Sequence, residues 1–118
     1  KRDVYSGRLK LNGEEHEETL MQAYNYAVSL YGLQRYEETK ALLRKTMPVA
    51  RRVLGENHET ALRMRGCYGQ ALYMAAGATL DDLREAVTTL EDAERIARRT
   101  FGGTHPLAAQ IEEALQDA

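Results

Sequence analysis

The chain has 118 residues, of which 43% are apolar and 29% charged, and its net charge is −2. That length allows one domain with a modest core, and the slight acidity argues against a dedicated nucleic-acid binder, whose footprint is basic. No apolar run approaches the roughly 20 residues that span a bilayer, so no membrane partner is expected.

In chain order, Lys1 to Asn12 reads as the end of an earlier helix, since Val4 to Leu11 lie 42 residues before Thr46 to Val53. Lys1 rather than Met opens the chain and no secretory leader is visible, so a piece of a longer protein is expected. A joint, Gly13-Glu14-Glu15-His16, follows. The first predicted helix runs from about Glu17 to Leu33, with Leu20, Ala23, Ala27 and Leu30 at helical spacing on one inward stripe. The second runs from about Tyr36 to Leu54. Inside it Pro48 lacks the N–H that would bond to Arg44, so a kink or a restart is expected near Thr46.

A second joint, Gly55-Glu56-Asn57-His58, precedes a helix from about Glu59 to Ala75. Thr79 and Asp82 form a capping pair for a fourth helix from about Leu80 to Phe101. The third joint, Gly102-Gly103-Thr104-His105, leads to Pro106, a residue suited to a first helical turn. Gly55 and Gly102 stand where helices stop and where a left-handed backbone is expected.

The joint histidines are 42 and 47 residues apart, and the copies align. A shift of 42 lays Leu20 on Leu62, Tyr26 on Tyr68, Ala27 on Gly69, Leu30 on Leu72 and Tyr31 on Tyr73. A shift of 47 lays Tyr36 on Leu83, Leu43 on Leu90, Ala50 on Ala97 and Leu54 on Phe101. The five extra residues lie between Tyr73 and Leu83 and belong in a loop, where added length costs little. The pattern predicts an all-α stack of antiparallel helix pairs. It divides into the end of a preceding repeat (1–12), one repeat (13–54), a second (55–101) and the first helix of a third (102–118).

The run Asn25-Tyr26-Ala27, Leu30, then Gln34-Arg35-Tyr36-Glu37-Glu38-Thr39 resembles the tetratricopeptide repeat, with Gly69, Leu72, Leu83 and Ala86 at the matching places of the second copy. The 42-residue period with a Leu-Gly-x-x-His joint is similar to the longer kinesin-light-chain type. Thr39 and Thr46 depart from the family's alanines, and Pro48 sits earlier than the proline that closes the shorter repeat. The resemblance implies a right-handed superhelix with a concave groove lined by the first helix of each pair. By that register the groove presents Met21, Tyr24, Asn25, Val28 and Tyr31, then Arg63, Gly66, Cys67, Gln70, Tyr73 and Met74. Asn25 suits a partner's backbone, and Arg63 an acidic side chain.

Other chemistry has plainer readings. His16, His58 and His105 invite a metal, but matching positions on packed helices stand about 8–10 Å apart while ligands bond a metal at about 2 Å. They read as joint residues at helix starts. Acidic residues at helix starts, and Arg51-Arg52 and Arg98-Arg99 at helix ends, complement the helix dipole. No nucleophile with a base beside it is visible, so neither an enzyme nor a cofactor is expected. Cys67 reads as a small helix-surface residue, and a single cysteine fits a reducing, cytoplasmic compartment. Arg44, Lys45, Arg51, Arg52, Arg63 and Arg65 read as solvated surface. Tyr26 and Tyr68 read as core. The expected function is a protein-interaction module that holds a peptide segment or partner protein in the groove. A structural segment of a longer solenoid, or the regulatory arm of an enzyme, are the alternatives, and self-association through cut repeat ends is a further expectation.

Overall fold

Apolar residues at helical spacing, punctuated by capping residues and glycine, produce helices alone among the described residues. A computed structural model of the chain describes residues 17–117. The expectations for residues 1–16, including the His16 joint, lie outside them. The helices are α1 (Glu17–Gly32), α2 (Tyr36–Leu54), α3 (Glu59–Met74), α4 (Leu80–Phe101) and α5 (Pro106–Asp117). Three boundaries show a local cause plainly. Thr79 and Asp82 complete a reciprocal capping box: the Thr79 hydroxyl accepts the Asp82 N–H at 3.1 Å and the Asp82 carboxylate accepts the Thr79 N–H at 3.0 Å. Gly55 and Gly102 end α2 and α4 with φ of +94° and +91° and ψ of 155° and 157°. That is not the left-handed helical conformation expected but an extended mirror region essentially reserved for glycine.

The expected insertion is shared between loop and helix. The α1–α2 connection spans 33–35 and the α3–α4 connection 75–79, while α4 has 22 residues against 19 in α2. The capping box at Thr79 starts α4 nearly a turn before the residue that matches Tyr36. Pro48 does not restart α2, which runs unbroken to Leu54. Thr39 and Thr46, standing in place of alanine, are 0% and 1% exposed. Their hydroxyls donate to the carbonyls of Arg35 and Leu42, so burial leaves no unpaired polar atom there.

Helix α3 is the central helix among the described residues. It packs against α1, α2, α4 and α5, whereas α2 and α4 do not pack against each other. Accordingly α3 is buried on most sides, including Leu62, Met64, Tyr68 and Leu72. By contrast α2 buries one stripe (Leu43, Thr46, Ala50), and so does α4 (Ala86, Leu90, Ala93, Ala97). Positions matched by the repeat are matched in burial: Leu43 and Leu90, and Ala50 and Ala97, are all fully buried. A fully buried leucine contributes about 1.5–3 kcal/mol relative to an exposed one. At one crossing the Leu90 side chain fills the space left by a glycine: a Cβ added to Gly69 would lie 2.7 Å from Leu90 Cγ.

Tyr68 ties this centre to its flanks. Its hydroxyl donates to Glu85 of α4 at 2.7 Å and accepts from Arg44 Nε of α2 at 3.0 Å. Tyr26, in the same register, is only half-buried, since α2 alone of the outer helices flanks it among the described residues. Arg65 corrects the expectation of a solvated side chain. It matches Ala23 on the inward stripe, is 9% exposed, and reaches only to within 4.0 Å of Asp92. Burial, then the charge of Arg51, lowers its pKa.

Candidate functional site

First helices stand side by side, α1 against α3 and α3 against α5, and their unpaired faces enclose an open cavity of about 290 Å³. The repeat register explains the wall. Tyr24 of α1, Gly66 of α3 and Glu113 of α5 hold one repeat position, and Val28, Gln70 and Asp117 hold another. Gly66 has no side chain to fill the space between Tyr24 and Glu113, and a Cβ there would meet only Ile111 at 3.7 Å.

Of the residues expected to line the groove, Tyr24, Val28, Tyr31, Arg63, Gly66, Cys67 and Gln70 border this cavity. Met21, Asn25 and Met74 are exposed but stand off its wall. Tyr73 is half-buried, packs against both hydrophobic clusters and stands off the cavity wall. Sequence reasoning missed the contribution of α5: Leu107, Gln110, Ile111, Glu113, Ala114 and Asp117. The signal was present, because the 47-residue shift carries Arg63, Gly66, Cys67 and Gln70 onto Gln110, Glu113, Ala114 and Asp117.

The polar groups are held in place. Arg63 reaches Glu59 Oε2 through Nε and Nη2, both at 3.1 Å, so the guanidinium expected to be available for a partner is already paired. Burial, then the neighbouring Cys67, raises the Tyr24 phenol, and a hydrogen bond with Arg63 acts against the rise. Tyr31 stacks edge-on against Tyr36 with centroids 5.4 Å apart. Burial first, then Tyr73, pushes its phenol up to about 12. Cys67 is buried rather than a helix-surface residue, because α1 and α5 both flank α3 there, and burial pushes its thiol up to about 12. Such a thiol stays protonated and is a poor nucleophile. The wall therefore offers rings, amides and carboxylates for contact.

His58 and His105 act at helix starts. His58 Nδ1 accepts the Thr60 N–H at 3.1 Å, and His105 Nδ1 accepts the Leu107 N–H at 3.1 Å. Residues 19–60 match the family model of the tetratricopeptide repeat, a stretch covering most of α1, all of α2 and the joint that carries His58. The match supports a tetratricopeptide-repeat protein. No curated protein and no solved structure gives a significant match to the chain. Tetratricopeptide repeats are in general non-catalytic modules that bind protein partners. Among the described residues no helix is long and apolar enough to cross a membrane.

Proposed function

We propose that α1, α3 and α5 bind a segment of a partner protein in the groove between them. The observation that carries this reading is the cavity itself. It runs along helices at matching repeat positions, is floored by Gly66, and is bordered by Tyr24, Tyr31, Gln70 and Gln110. Rigid rings give contact area at low entropic cost, and amides meet a partner's backbone. The chain works by holding its partner, in a right-handed superhelix of the longer, kinesin-light-chain type. The 42-residue span of the family match supports that longer repeat. A reducing, cytoplasmic setting agrees with the buried free thiol.

The test is selection of short displayed peptides on this chain, followed by binding to a Gly66→Leu variant whose side chain would fill the cavity. Selected peptides should lose binding to a variant of unchanged circular dichroism. Equal binding to both proteins would remove the groove from the reading.

A scaffold role has its own observation. Leu80 and Leu83 on α4 are 61% and 38% exposed, and Leu83 shares an apolar patch with Val87. This outer stripe suits a permanent neighbour in a larger assembly.

A further inference from the structure

The charge balance of the groove identifies the kind of segment it suits. Glu113 and Asp117 lie one turn apart on α5, and both border the cavity. Neither carboxylate has an ion-pair partner among the described residues. Arg63, the one cation of the wall among the described residues, is held by Glu59. The charge left uncompensated is therefore negative, and Asp117 sits in the last turn of α5, where helix carbonyls add to it. Aromatic rings stand at the same end. Tyr31 borders the cavity, and the Asp117 charge reaches the phenols of both Tyr31 and Tyr73. A cation is attracted by a tyrosine face and by a carboxylate at once. An acidic segment would have to displace Glu59 from Arg63 and lie against two unpaired carboxylates.

We propose that the groove takes a segment bearing a lysine or arginine, whose cation is held between the Glu113 and Asp117 carboxylates and the Tyr31 ring. This rests on the groove reading above and adds the chemistry of the partner.

Three fluorescein-labelled short peptides test it, identical in leucine, tyrosine, serine and glycine but carrying two lysines, two glutamines or two glutamates. Fluorescence anisotropy on the whole chain should show the lysine peptide binding about tenfold more tightly than the glutamate peptide, a difference near 1.4 kcal/mol. The gap should narrow as salt rises from about 0.05 M to about 0.5 M. A double variant, Glu113→Gln with Asp117→Asn, changes two exposed positions. It should bind all three peptides alike, at the affinity the unaltered chain has for the glutamine peptide, with unchanged circular dichroism. If the glutamine or glutamate peptide binds as tightly as the lysine peptide, the charge inference fails and the groove stands. If none of the three binds, both readings fail. If the chain dimerises in solution and Gly66→Leu abolishes the dimer, a second copy occupies the groove and the basic partner is overturned.

Discussion

His58 reaches from the start of α3 back to the start of α1, where its Nε2 lies 3.2 Å from Oε1 of Glu17. The same ring caps its own helix through Nδ1. The arrangement recurs one repeat later, with His105 Nε2 3.9 Å from Glu59 Oε1 and Nδ1 capping α5. Because Nδ1 accepts a backbone N–H, the partners assign the ring proton to Nε2, which donates toward the carboxylate. Histidine suits this joint because one ring serves two elements at once.

Separating the two tasks of His58 is a matter of choosing the substitution. His58→Asn retains a cap and gives up the reach to Glu17, an exposed pair contributing about 0.5 kcal/mol or less. His58→Ala gives up both and should cost about 1 kcal/mol more. Urea unfolding of the two variants measures the difference. Equal losses would mean that the cap contributes nothing.

Two glycines three residues apart should respond oppositely to alanine. At Gly69 the new methyl meets Leu90, which is fully buried, at 2.7 Å. Overpacking of this kind costs about 1–3 kcal/mol. At Gly66 the nearest atom is 3.7 Å away, and the better helix propensity of alanine should stabilise the fold by up to about 1 kcal/mol. Thermal unfolding should move the two melting temperatures in opposite directions.

Arg65 is expected to be dispensable for stability. Its Nη1 is buried without a hydrogen-bond partner, and Asp92 is shared with Arg95, which lies closer at 2.8 Å. Replacing a poorly paired buried ion with an apolar side chain of similar length is often neutral or stabilising by about 1 kcal/mol or more. Arg65→Met should therefore raise or hold the urea midpoint. A marked fall would show that the contact with Asp92 outweighs the burial of the charge.

Alkaline pH should weaken the fold in a defined window. The Cys67 thiol is raised from 9.0 and the Tyr31 phenol from 10.0, both to about 12. The unfolded chain releases these protons first, so the stability they contribute is complete below pH 9 and is lost as pH rises toward 12. Unfolding midpoints across that range should fall, and the Cys67→Ala variant should fall less steeply. Parallel curves for the two proteins would dismiss the thiol as a contributor.

The helix starts at Glu59, Leu80 and Pro106 are where local chemistry placed them, because a cap or a proline acts within a few residues of itself, whereas α2 starts at Tyr36 with no side-chain cap. The register implied by the family resemblance named much of the cavity wall on α1 and α3 and none of it on α5, although the 47-residue shift pointed to Glu113 and Asp117. The sequence leaves Arg63 available for an acidic partner. Its pairing with Glu59 depends on side-chain rotamers that spacing alone does not specify. Arg65 reads as solvated from the sequence because the basic residues around it fall on different helix faces with acidic residues interspersed.

The chain by itself determined its helices, their order and their register, since periodicity, capping and glycine backbone freedom are properties of short segments. Tertiary structure alone decided that Arg65 is buried between α2 and α4, that Tyr73 packs against both hydrophobic clusters, and that the unpaired charges of the cavity wall among the described residues are acidic. Each of these depends on which helix stands beside which. Burial and charge balance are sums over neighbours brought together from distant parts of the chain.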